Sequence, residues 1–193
     1  MKVLVLFAHP YEGSYGAALH RTVVETLRAQ GHTVDDCDLY AEKFEPVLSR
    51  EGRLAYHDPE RNRDGVADHV ARLLAAEALV IVTPIWNFGF PAILKGYFDR
   101  VFVPGVSFTI VDGKVVGALA NIRRIIAVTT YGSTPLRAFL AGNGPKSFVT
   151  RVLRVLAARG AATRYLAHYD MNRSTPQTRA RFLDRVTAEM RRL

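Results

Sequence analysis

The chain has 193 residues, a length that fits one domain over 1–193 with a sizeable core rather than two domains. Apolar residues make up 49% and charged residues 23%, which excludes a disordered or fibrous chain, and no apolar run approaches the roughly 20 residues of a membrane span. The formal net charge of +8 comes from basic residues scattered from Arg21 to Arg192, so it reads either as a solvated arginine-rich surface or as a footprint for phosphate-bearing ligands, nucleic acid or an anionic membrane.

The elements follow in order. Lys2 to Ala8 reads as a buried strand, too short for a signal peptide, and His9-Pro10 breaks it. Leu19, Val23, Thr26 and Leu27 recur at helical spacing, with Gly31 as a stop. Thr33 to Asp38 is a weaker strand. Val66, Val70, Leu73 and Leu74 give a helix that leads into Ala78 to Thr83, the clearest central strand. Pro91 opens the next helix, whose apolar stripe is Ile93, Leu94, Tyr97, Phe98 and Val101. A hairpin is expected around Asp112-Gly113, then a buried strand from Arg124 to Thr130. Phe148, Val152, Val155 and Leu156 mark a further amphipathic helix ending near Gly160. Ala161 to Tyr169 is the last strand, and Phe182, Val186 and Met190 face inward from a closing helix. Segments 44–64 and 103–121 are the irregular insertions.

Strand and helix alternate five times, so an α/β fold is expected, with a mostly parallel sheet covered on both faces. Ligands bind such sheets beyond the carboxyl ends of the strands. Three segments stand there.

The first, His9 to Ala17, places Ser14 and Gly16 where a strand gives way to a helix. Free amides at a helix N-terminus bind phosphate, and small residues allow close approach. Ser14 equally serves as a plain helix cap, and His9 as either a phosphate contact or loop filling. In the second, Trp86, Phe88 and Phe90 follow an apolar strand between Pro84 and Pro91, with Asn87 as a polar handle. They suit the walls of a flat ring system, or they fill the core. The third, Thr129-Thr130-Tyr131-Gly132-Ser133, offers hydroxyls and a glycine, the composition of a ring-edge contact or of an ordinary turn.

No nucleophile–base constellation and no G-x-S-x-G elbow is present. His57, His69 and His168 lack the spacing of a metal site, and no metal is expected. Cys37, the sole cysteine, excludes an internal disulfide and reads as structural. No RNA-binding aromatic motif accompanies the basic residues, so neither nucleic-acid binding nor membrane insertion is expected, and the cytoplasm is the expected compartment. A cofactor that carries the chemistry itself accounts for the missing catalytic pair.

The sequence resembles the flavodoxin-like NAD(P)H:quinone oxidoreductases, DT-diaphorase-like enzymes and their bacterial relatives. Phe7-Ala8-His9-Pro10, Asp38-Leu39-Tyr40, Phe44-Glu45-Pro46 and above all the block from Pro84 to Phe102 carry the likeness. Trp86-Asn87-Phe88 is also similar to the aromatic-Asn-Phe motif of FMN-dependent azoreductases. The resemblance implies a doubly wound five-stranded sheet of order 2-1-3-4-5 and a flavin, FAD or FMN, reduced by NAD(P)H and reoxidised by a quinone-like acceptor. It implies that His9, Ser14, Tyr15, Gly16 and Ala17 hold the phosphate side, that Pro84, Ile85, Trp86, Asn87 and Phe88 border the isoalloxazine, and that Thr129, Thr130, Tyr131 and Gly132 close its other edge. It further implies a homodimer with a shared site, with Phe108, Ile110 and Asn143 on the substrate side. Arg137 and Asn143 stand where related enzymes carry a relay tyrosine and histidine, so no catalytic side chain is carried over. Some relatives are ancillary subunits of potassium-efflux systems, and a regulatory or electron-transfer module is the alternative role.

Overall fold

A computed structural model describes all residues from Met1 to Leu193. Five parallel strands form the central sheet: β1 (Lys2–Phe7), β2 (Thr33–Asp38), β3 (Ala78–Ile85), β6 (Arg124–Tyr131) and β7 (Ala162–His168), in the order β2-β1-β3-β6-β7. Counting only these five, that is the expected 2-1-3-4-5. A separate antiparallel arm pairs β4 (Phe108–Val111) with β5 (Lys114–Gly117) across the Asp112-Gly113 turn, where both residues have positive φ.

The strands are continuous apolar runs because both faces are covered. Alternate side chains divide between two cores. Leu4, Leu6, Leu79, Ile81, Ile125 and Ala127 face α3 (Ala67–Ala75), α4 (Ala92–Val101) and the helical stretch 144–156. Val3, Val5, Phe7, Val80, Val82, Ile126 and Val128 face α1 (Tyr15–Ala29) and α8 (Pro176–Met190). Each fully buried Val, Leu or Ile contributes about 1.5–3 kcal/mol of transfer free energy, so a register slip in any strand exchanges one core for the other at large cost.

The helices start where their caps allow. Ser14 Oγ accepts the Ala17 N–H at 3.0 Å and fixes the first turn of α1, and Gly31, at φ +79°, follows its end. On α8, Thr175 and Thr178 form a reciprocal capping box with Pro176 at the first helical position. On α4, Gly96 is required by a close approach: a Cβ there would lie 2.2 Å from the Pro46 carbonyl oxygen. The whole stripe Ile93, Leu94, Tyr97, Phe98 and Val101 is buried.

Three expectations change. The helix after Asn143 begins as α6 (Gly144–Ser147), runs through a π-helical segment Phe148–Leu153, and ends as α7 (Arg154–Leu156). The wider π turn rotates the face, so Val149, Leu153 and Leu156 are buried while Val152 and Val155 are exposed. Leu74 likewise points outward at the end of α3. The insertion 44–64 is not wholly irregular, since Ser49 caps a short α2 (Arg50–Ala55).

Candidate functional site

Strands β1, β3 and β6 are neighbours, so the segments that follow them meet at one edge of the sheet. The strand order reverses between β1 and β3, the topological position where an open α/β sheet leaves a crevice. The first two segments touch: the His9 and Trp86 rings meet edge-on with centroids 5.9 Å apart.

The first segment is a helix N-terminus with unused donors. The Tyr15 and Gly16 amides make no hydrogen bond within the chain. Gly16 is buried beneath the His9 ring, and a Cβ there would lie 3.2 Å from it. His9 Nδ1 accepts the Tyr11 N–H at 3.1 Å, which leaves the neutral ring's proton on Nε2. Burial lowers the His9 pKa below its ordinary value, so the neutral ring is favoured. The Tyr15 hydroxyl donates to the Arg179 carbonyl at 2.7 Å and ties α1 to α8, so that side chain is structural. A hollow of about 360 Å³ opens beside this turn, between His9, Ala17, His20 and Arg21 on one side and Asp38 and Tyr40 on the other.

The second segment is a tight turn. Trp86 and Gly89 exchange backbone hydrogen bonds of 3.0 and 2.8 Å, and between them Asn87 and Phe88 both sit in the left-handed region, at φ +49° and +59°. Asn tolerates that conformation; a bulky Phe adopts it at a cost. The turn leaves the Asn87 and Phe88 amides unbonded and holds Trp86 and Phe88 outward, 44% and 42% exposed. Pro84 and Ile85 remain buried as the end of β3. Phe90 turns inward against Phe98 and Phe148, so of the three aromatics it is the one that fills the core.

The third segment is built differently. The Thr129 side chain is buried and donates to the Leu166 carbonyl at 3.1 Å, and Thr130 is half-buried. Tyr131 is also buried; its hydroxyl donates to Asn143 Oδ1 at 2.9 Å and therefore accepts the 2.5 Å bond from the Tyr165 hydroxyl. Burial pushes the Tyr131 pKa well above the ordinary tyrosine value and raises Tyr165 to about 12, so both phenols hold their protons at neutral pH. Gly132, exposed and with an unbonded amide, offers a free backbone contact, and the half-buried Ser133 beside it leaves its amide unbonded as well.

Of the substrate-side expectations, Ile110 is exposed on the β4–β5 arm, whereas Phe108 packs partly against the chain's own core. Asn143, at φ +43°, is held by Tyr131. The segment after β7 also reaches the site: Asp170, Asn172 and Arg173 line a polar hollow of about 310 Å³ with Gly132, Ser133, Thr134 and Arg137. The strand-end rule, applied to the last strand as well, is the signal that finds them. A smaller cavity of about 150 Å³, under α2 between Tyr56, Asn62 and Arg100, has no part in this edge.

Comparison with known proteins agrees with this geometry. The flavodoxin-like fold family matches residues 1–157. The chain is 33% identical to NAD(P)H dehydrogenase [quinone] 1 of Rattus norvegicus over 149 residues, which is 68% of this chain and 54% of that protein. It therefore spans about half the length of that relative. Among solved structures it resembles an NAD(P)H:quinone oxidoreductase from Methanothermobacter marburgensis, with a TM-score of 0.84, 24% identity and coverage of 99% of this chain and 98% of that one. It also resembles an FMN-dependent NADH-azoreductase from Bacillus anthracis in complex with FMN, with a TM-score of 0.79, 18% identity and coverage of 99% and 98%. At these identities the structural likeness is one of fold. With the sheet order, the three strand-end segments and a match over residues 1–157 in agreement, the chain belongs to the flavodoxin-like fold family.

Proposed function

We propose that residues 1–193 form one flavin-binding domain that acts as an NAD(P)H-dependent oxidoreductase, with a quinone or similar flat acceptor. The observation that carries this reading is the juxtaposition of unbonded amides at Tyr15, Gly16, Asn87, Phe88 and Gly132 with the outward aromatics Trp86 and Phe88 at one sheet edge. Donors at a helix N-terminus suit a phosphate, and donors beside aromatic walls suit the polar edge of a planar ring. A flavin fits both. Gly16 keeps the cradle open, because any side chain there meets His9. When bound, a flavin supplies two-electron hydride chemistry between a nicotinamide and the acceptor.

The chain's own part is to bind, orient and exclude. Ser14 fixes the helix turn whose Tyr15 and Gly16 amides would hold the phosphate. Trp86 and Phe88 would cover one side of the ring and keep water from it, and the Asn87, Phe88 and Gly132 amides would stabilise negative charge on its edge. Tyr131, Tyr165 and Asn143 form a closed hydrogen-bond network that braces the site floor, with both phenols protonated at neutral pH.

Exposed apolar side chains gather on α5 (Pro135–Leu140), namely Leu136, Phe139 and Leu140, and on the β4–β5 arm, namely Ile110, Val111, Val115 and Val116. Monomers rarely leave so many uncovered. This supports a homodimer in which the arm of one copy closes the site of the other. No helix is long and apolar enough to cross a membrane.

The test is to reconstitute the chain with FMN and, separately, FAD, then follow anaerobic bleaching by NADH and NADPH and reoxidation by a small quinone. Saturable turnover faster than free flavin supports the reading. Turnover equal to free flavin, with flavin bound, favours an electron-transfer or regulatory module that docks to a partner such as a potassium-efflux system. Failure to take up either flavin overturns both.

A further inference from the structure

Away from the strand-end crevice, the edge strand β2 carries a second group of side chains to which the flavin reading assigns no role. Cys37, fully buried, lies 3.6 Å from Glu42 Oε2 and 3.8 Å from His69 Nδ1; the other imidazole nitrogen of His69 is 3.9 Å from the same carboxylate oxygen. One ligand atom from each of the three lies within 4.8 Å of the others. Tetrahedral zinc with a thiolate at about 2.3 Å and nitrogen or oxygen at about 2.0–2.2 Å needs ligand separations of roughly 3.4–3.6 Å. With Nδ1 as the ligand, the two edges at sulfur, 3.6 and 3.8 Å, are within a few tenths of an ångström of that, while the nitrogen-to-carboxylate edge lies within 4.8 Å and must shorten as the ion binds.

A second observation points to the same place. The Tyr97 hydroxyl is fully buried and has no hydrogen-bond partner. Its ring stands edge-on to His69, with centroids 5.6 Å apart, in the same buried cluster as Cys37. An unpartnered buried hydroxyl calls for an acceptor. The neutral Cys37 thiol is a poor one, whereas a metal-bound thiolate is a good one.

The charges agree as well. Arg72 donates from Nε and Nη2 to Asp35 Oδ1 and from Nη1 to Glu42 Oε2. With Cys37 ionised, three negative charges would face one guanidinium, and a divalent cation makes the cluster neutral. Glu42 Oε1 makes no other bond, and the partly exposed Glu42 and His69 side chains leave a path from solvent.

We propose that Cys37, Glu42 and His69 form a binding site for a thiophilic divalent metal ion, zinc above all, with Tyr97 donating its hydroxyl to the Cys37 sulfur. A thiolate, an imidazole and a carboxylate are borderline-to-soft donors that suit zinc and exclude magnesium and calcium. On binding, the S–H bond is replaced by a Zn–S bond and the thiol proton passes to water, so affinity falls as pH falls. The site pins β2 and the turn after it to α3 and α4, and the end of β2 and that turn carry Asp38 and Tyr40, one wall of the hollow beside His9.

The test uses the full chain as purified, with zinc ion alone and with cobalt as a spectroscopic substitute. The expected result is one zinc retained per chain after dialysis. Cobalt should give a thiolate-to-metal charge-transfer band, which Cys37, as the only cysteine, assigns without ambiguity. Cys37→Ser should lose the band and the retained zinc. His69→Gln should lose the zinc, and this second variant decides the matter should Cys37→Ser fold poorly by circular dichroism. Tyr97→Phe should keep the band and bind zinc about 10- to 100-fold more weakly. Zinc not retained by the unaltered chain, a cobalt adduct without the charge-transfer band, or equal retention by folded Cys37→Ser or His69→Gln overturns the site. Equal affinity in Tyr97→Phe overturns the role given to the hydroxyl.

Discussion

The segments after β3 and β6 occupy equivalent places at adjacent strand ends, yet they are built on opposite principles. After β3, Trp86 and Phe88 are pushed outward by a turn that holds two non-glycine residues at positive φ, and the Asn87 and Phe88 amides bond to nothing within the chain. After β6, Thr129 and Tyr131 are buried, and their hydroxyls bond to Leu166, Asn143 and Tyr165. One segment stores strain and exposes apolar surface, features that stability alone does not favour. The other satisfies its polar groups internally, as a core does. Position at a strand end therefore marks where a ligand can sit, while burial and unbonded donors mark which side chains can reach it.

Substitutions separate the two segments. The largest effect is expected from Tyr131→Ala, which removes a buried aromatic and leaves Tyr165 and Asn143 without their partner. A loss of about 3–5 kcal/mol in the denaturation midpoint analysis is expected. Tyr131→Phe keeps the ring and costs only about 1–3 kcal/mol. Should Tyr131→Phe instead leave stability untouched and weaken flavin binding, the division between a bracing segment and a binding segment fails.

Trp86→Ala is expected to reverse the pattern. Stability changes by less than about 1 kcal/mol, since the side chain is exposed, while flavin affinity falls roughly tenfold, about 1.4 kcal/mol, through loss of an aromatic wall. Titration calorimetry of flavin binding, set beside a urea melt, measures both quantities.

Phe88→Gly sharpens the comparison further. Glycine adopts φ +59° without penalty, so the variant is expected to gain about 1 kcal/mol in stability and to bind flavin more weakly. A destabilised variant would show that Phe88 packs rather than waits for a ligand.

The smallest effect is in pH dependence. The His9 pKa lies below its ordinary value in the fold because of burial, so the unfolded chain takes up a proton that the folded chain resists. This contribution to stability is present above the unfolded pKa of about 6.5 and is lost as pH falls toward the folded value. Melting temperatures recorded from pH 7.5 downward should decline less steeply in His9→Gln than in the unaltered chain.

Much of this was legible in the sequence. Apolar runs such as Ala78 to Thr83 define strands because their burial on both faces leaves no polar position to confuse them. The caps Ser14 and Pro91 mark helix starts by local chemistry alone. Val152 and Val155 misled because a π turn shifts the helical phase, and no residue type announces such a turn. The outward direction of Trp86 and Phe88 was equally hidden: it depends on Asn87-Phe88 adopting a left-handed turn that sequence favours only at asparagine. Cys37, Glu42 and His69 show no metal spacing along the chain, since β2, the turn after it and α3 meet only through the sheet's packing. Thr129 and Tyr131 look like binding groups in sequence; their burial comes from the β7 and Asn143 partners, which lie far along the chain.

Trp86 is the only tryptophan in the chain and stands in the loop given to the flavin, so its fluorescence reports on the central claim directly. Titrating FMN or FAD into flavin-free protein should quench that emission saturably, with an endpoint at one flavin per chain. Emission that falls only linearly with added flavin, as free absorber alone produces, would contradict a flavin held against Trp86.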